Sequence, residues 1–190
     1  MNELFTETIL IAVLAATVRI ATPLIFAALG ELITERAGIL NLGVEGTMLM
    51  AAFAGFAGSF ATGSTWAGLL AAMLAGAMMA FLMVFMAATL KVEQVVTGLA
   101  LNLLAAGMSL YLFKVYFETQ SMPMTEVMPF MPIPYLADIP WLGPIMFQQK
   151  GLTYLAFLMV PAVWFFLYRT KWGLEIRVLG ENPKVIDTKG

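Results

Sequence analysis

Residues 30–46 read GELITERAGILNLGVEG and lie between two long apolar runs. The stretch carries Glu31, Glu35, Arg36 and Glu45, one amide (Asn41), and Gly30, Gly38, Gly43 and Gly46. A plain connecting loop would not re-enter an apolar run still holding Asn41 and Glu45, because polar groups at membrane depth are costly and read as functional. Gly38 suits the left-handed residue that ends a helix. Asn41 suits the cap of a new helix, its side chain accepting an early backbone N–H. Glu45 follows one turn later, near the positive end of that helix's dipole. The segment therefore reads as an interrupted helix, with Glu31, Glu35 and Arg36 in the junction and Glu45 at the start of the next span.

Composition sets the surroundings. Hydrophobic residues make up 61% of the 190, charged residues only 12%, and the mean hydropathy is +0.89. A soluble domain has about a quarter of its residues charged, so the excess apolar surface faces lipid and the fold class is an all-α polytopic membrane protein. The net charge of −2 gives no reason to expect a nucleic-acid partner. There is no cysteine and no histidine, which removes thiol chemistry, zinc–thiolate sites and the commonest general base. No catalytic residue, metal site or cofactor is expected. No Gly-rich phosphate loop ending in Gly-Lys-Ser/Thr occurs. Glu3 and Glu7 open the chain, the opposite of the positive start of a secretory signal.

Five apolar stretches are long enough to span a bilayer: residues 4–29, 41–61, 66–90, 92–117 and 151–168. Arg19 sits inside the first, and Pro23 should loosen or kink that helix one turn later. Arg19 reads either as a charge that snorkels or pairs with an acid, or as one lining a pathway. Thr47, Ala51, Gly55 and Ser59 make a small-residue stripe on the second span, and Gly68, Ala72, Gly76 and Ala80 one on the third; such stripes let helices approach closely. Gln94, Gly98, Asn102 and Ala106 share one face of the fourth, where amides suit either a wet cavity or interhelical bonding. Residues 118–150 hold six prolines and read as an external loop with short irregular helices. Residues 169–190 form a polar, basic tail in which Pro183 can begin a short helix. With that tail cytoplasmic, Arg36, Lys91, Arg169, Lys171, Arg177, Lys184 and Lys189 lie inside, against Lys114 and Lys150 outside. The positive-inside rule then places the N-terminus and the proline-rich loop outside.

Three blocks carry a family resemblance: TPLIFAALGELITERAGILNLGVEG (residues 22–46), VEQVVTGLALNLLAAGMSLYLF (92–113) and RTKWGLEIRVLGENPKVIDTKG (169–190). They resemble permease subunits of bacterial ABC importers for branched-chain amino acids, sugars and nucleosides, nearest the simple-sugar and nucleoside branch. The resemblance implies a single transmembrane permease domain over residues 1–190 in the bacterial plasma membrane. It implies a second permease subunit, cytoplasmic ATPase subunits that bind the ATP, and an extracytoplasmic substrate-binding lipoprotein. Gly180, Glu181, Asn182 and Pro183 match the motif that docks on the ATPase within a cytoplasmic loop, residues 169–190. Such permeases have further spans after that motif, so the chain reads as an N-terminal fragment, expected not to transport alone.

As polar interior positions beside the path, the sequence offers Asn41, Glu45, Gln94 and Asn102. Two other readings compete. An ion-coupled secondary transporter also uses interrupted helices, with Glu45 as the coupling carboxylate, but gives a docking motif no purpose. A truncated membrane remnant or scaffold gains weight only from the chain's length. An enzyme is the weakest reading, since no nucleophile–base arrangement is found.

Overall fold

A computed structural model describes residues 2–118 and 127–182, with side chains from residue 6. The helices are α1 (Asn2–Arg36), α2 (Val44–Thr62), α3 (Thr65–Val84), α4 (Gln94–Phe117), α5 (Gly151–Arg169) and α6 (Lys171–Glu181). Single π-helical turns follow α3 at Phe85–Thr89 and precede α5 at Gly143–Phe147. Among the described residues, five helices (α1 to α5) are long and apolar enough to cross a membrane, and the only extended pairing is an isolated bridge between Phe130 and Lys150. Pro183 and residues 119–126 of the proline-rich loop lie outside the described residues.

The chain divides into two compact units: residues 1–30 with 128–174, and residues 31–127 with 175–190. In the first, α1 and α5 run side by side in the same direction. Gln149 Nε2 donates to the Ala15 carbonyl at 3.4 Å, and further along both helices the buried Thr22 and Thr153 hydroxyls pair at 3.0 Å. Pro23 and Pro161 sit inside these helices, and α1 continues past Pro23 to Arg36. Residues 130–150 fold back on themselves, the Met131 N–H donating to the Gln149 carbonyl at 2.9 Å and that of Ile133 to the Phe147 carbonyl at 3.0 Å. Thr170 starts α6 by accepting the Gly173 N–H at 3.1 Å, an N-cap that satisfies an orphan donor. The tail is thus helical from Lys171, well before the Pro183 start that the sequence predicts.

In the second unit the two small-residue stripes meet. A Cβ built on Gly55 would lie 3.2 Å from Ala72 Cβ, and one on Gly68 would collide with Ser59 Oγ and approach the Gly55 carbonyl at 2.6 Å. The stripes thus seat α2 on α3, the packing role small residues serve where lipid offers no hydrophobic driving force. Met50, Met79, Met83, Leu101 and Ala105 form the buried core between α2, α3 and α4; methionine fills such irregular gaps. Phe56 and Phe60 of α2 meet Phe113 and Phe117 of α4 with centroids 5.1–5.9 Å apart. We expect Gly68→Leu to part α2 from α3 and lower the thermal unfolding midpoint in detergent. An unchanged midpoint would show that the seam tolerates a large side chain.

Candidate functional site: the helix break over α4

The break is built from the end of α1, residues 37–43 and one face of α4. α1 runs seven residues beyond the expected Leu29 boundary, so Glu31, Glu35 and Arg36 are helical and not a junction. It ends at Gly38, whose φ is +87°. The Gly38 N–H donates to the Glu35 carbonyl and the Ile39 N–H to the Thr34 carbonyl, both at 3.0 Å. This pair of bonds is the Schellman arrangement, and the left-handed conformation it needs is open to glycine at little cost.

Beyond Gly38 the backbone cannot satisfy itself, and side chains take over. The Leu40 N–H donates to Gln94 Oε1 at 2.7 Å, that of Asn41 to Glu31 Oε1 at 2.8 Å, and that of Gly43 to Asn41 Oδ1 at 2.9 Å. Asn102 bonds in both directions: its Oδ1 accepts the Gly46 N–H at 2.7 Å, and its Nδ2 donates to the Leu42 carbonyl at 2.9 Å. Thr34 Oγ1 steadies Glu31 by donating to its other carboxylate oxygen at 3.1 Å. In a membrane each unpaired backbone group costs several kcal/mol, so these side chains are what permits the helix to stop and restart.

Close approach makes the bonds possible. A Cβ on Gly98 would stand 2.8 Å from Leu42 Cβ and 2.9 Å from Gly43 N, and one on Gly46 2.9 Å from Asn102 Cα. The loop thus lies directly on the α4 backbone.

Asn41, Gln94 and Asn102 therefore converge on the break, with the amide oxygens of all three held by backbone N–H groups. Asn41 is not the N-cap of α2, which begins at Val44 after Gly43; it closes a turn two residues earlier. Glu45 lies in the first turn of α2, exposed, where the helix dipole favours a carboxylate. Glu31 was missed as a partner. Its signal was the run of orphan N–H groups that any helix break creates.

Of the docking candidates, Gly180 ends α6 against this same break. A Cβ there would collide with the Arg36 carbonyl and stand 3.0 Å from Gly38 N. Glu181 and Asn182 are exposed, the Asn182 N–H donating to the Val178 carbonyl at 2.9 Å. Among the described residues no cluster of potential metal ligands occurs.

Five helices long and apolar enough to cross a bilayer, with a side-chain-capped break between two of them, define a polytopic α-helical membrane protein. Residues 13–190 match the family described as branched-chain amino acid transport system / permease component, and the chain belongs to it. It is 44% identical over 93% of its length to a provisionally named glucose ABC transporter permease of Haloferax volcanii. It is 38% identical over 96% to a guanosine ABC transporter permease of Bacillus subtilis, and 34% identical over 90% to a nucleoside ABC transporter permease of Lactococcus lactis. The chain spans 54%, 60% and 56% of those three proteins, respectively. No solved structure matches it.

Proposed function

We propose that the chain is part of the transmembrane subunit of an ATP-driven importer, forming one side of the path for a nucleoside or a simple sugar. The observation that carries this is its similarity, over nine-tenths or more of its length, to permeases named for glucose, guanosine and nucleosides. The five apolar helices with a capped break are consistent with it. In this reading the chain holds no catalytic residue or cofactor, and ATP is bound and hydrolysed by cytoplasmic partner subunits. A second permease subunit completes the path, and an extracytoplasmic binding lipoprotein delivers the solute. The N-terminus and residues 118–150 lie outside, and residues 169–190 lie in the cytoplasm. Gly180, Glu181, Asn182 and Pro183 form the ATPase contact. Asn41, Gln94 and Asn102 shape the break beside the path, and Glu45 is the break residue with its side chain open to it.

The test is reconstitution of the complete permease with its ATPase and binding protein in proteoliposomes. Uptake of labelled guanosine or glucose should require ATP and be indifferent to a proton or sodium ionophore. Uptake that persists without ATP and collapses with the ionophore would establish ion coupling instead.

A further inference from the structure

A translocated polar solute needs hydrogen-bonding groups that the protein has not already used. The helix break offers few: Asn102 has both amide atoms bonded to backbone, and Gln94 and Asn41 have committed their oxygens. Free capacity lies instead where α5 begins. Arg19, half-buried in the middle of an apolar helix, has its guanidinium carbon 5.8 Å from the centroid of the Phe130 ring. Lys150 Nζ stands 6.0 Å from the same centroid. Among the described residues neither cation has a hydrogen bond or ion pair. Both cations thus share the Phe130 ring, and among the described residues no acid is paired with either.

Next to Lys150, Gln149 is 0% exposed and its Oε1 has no hydrogen-bond partner, although its Nε2 donates to the Ile145 carbonyl at 2.7 Å and to that of Ala15. Exchanging the amide atoms would set oxygen against those carbonyls, so the free atom is an acceptor. Pro23, lacking an N–H, also leaves the Arg19 carbonyl without its usual helical donor. A buried unpaired acceptor in a native fold asks for an explanation, and so does an arginine inside a spanning helix.

We propose that Arg19, Phe130, Gln149 and Lys150 form a contact station for the ring of a neutral, hydroxyl-rich solute, such as a sugar or the ribose of a nucleoside; this rests on the import reading above. The chemistry selects hydroxyls. The two cations donate only, while Gln149 Oε1 and the Arg19 carbonyl accept only. A hydroxyl does both, and so serves each side. An inorganic anion would satisfy the cations but repel the acceptors. The exposed Phe130 ring supplies the apolar surface on which the C–H face of a sugar ring can lie. Gln149 is sealed by the contact of α1 with α5, so the solute reaches it only when that seam parts, as alternating exposure of the path requires.

The complete permease with its partners in proteoliposomes tests this, with labelled guanosine and glucose as probes. Arg19→Met and Gln149→Leu should each raise KM for the transported probe about tenfold, the loss of roughly one charged or buried hydrogen bond, while kcat changes less. A KM unchanged in both variants overturns the proposal. If Arg19→Met fails to assemble, labelling decides without transport. Arg19→Cys, with any other cysteine removed, should react with a membrane-impermeant thiol reagent and be protected by excess guanosine or glucose. Leu103→Cys, on an exposed apolar face, should not react. Absent reaction or absent protection at position 19 overturns the proposal, as does protection by inorganic phosphate alone. Wild-type permease that takes up neither probe with ATP overturns the import reading, whereas normal uptake by both variants overturns only this station.

Discussion

Asn102→Leu is expected to lower stability by about 3 kcal/mol, because it strands two backbone groups at once. The Gly46 N–H loses its 2.7 Å acceptor and the Leu42 carbonyl its 2.9 Å donor. A leucine of similar size fills the space but offers neither group, and a low-dielectric environment makes unpaired backbone expensive. The change only makes the fourth span more apolar, so the amount inserted into the membrane should not fall. The measurement is the thermal unfolding midpoint of the purified chain in detergent, beside quantification of membrane-inserted protein. Asn102→Asp keeps the acceptor and loses the donor, so it should fall between wild type and leucine. A leucine variant as stable as wild type would show that water substitutes freely for the amide.

Gly98→Ala is the second large effect, at about 2 kcal/mol for overpacking. Its new methyl would stand 2.8–2.9 Å from Leu42 Cβ, the Leu42 carbonyl carbon and Gly43 N. Two of these three neighbours are backbone atoms, which cannot rotate out of the way. Relief comes only by lifting the loop off α4, and that stretches the Asn102 bonds as well. Combining Gly98→Ala with Asn102→Leu should therefore cost less than the sum of the two, since each disrupts the same contact. Gly107→Ala, on the same helix, meets nothing within 4 Å. It should be neutral or stabilising by up to about 1 kcal/mol from helix propensity alone. Equal losses at positions 98 and 107 would mean that helix flexibility, not crowding, is what the glycines supply.

The architecture was legible because hydropathy, glycine caps and small-residue stripes are local signals. The five spans and Gly38 as a helix end follow from them, and the stripes on α2 and α3 mark packing surfaces without naming what packs there. The end of α1 is masked in the sequence because Glu31, Glu35 and Arg36 look like a polar junction. Glu31 is instead helical, and its carboxylate accepts the Asn41 N–H, a contact that leaves no periodic trace. The face of Gln94, Gly98 and Asn102 was visible. What it faces was not, since a wet cavity and a backbone loop ask for the same amides. The Arg19 neighbourhood was hidden altogether, because it joins α1 to a loop more than a hundred residues away.

The contact between Gly180 and the end of α1 also has a bearing on the order of assembly. Gly38 leaves the ribosome about 140 residues before Gly180, which at ordinary synthesis rates is on the order of ten seconds. The partners of the break arrive in sequence: Glu31 is already present, Gln94 and Asn102 come with α4, and the end of α6 comes last. During that interval the Arg36 carbonyl and the Gly38 backbone stand uncovered by α6. The end of α1 is thus a seat built early and filled late, so a substitution at Gly180 would act on a break whose other contacts have already formed.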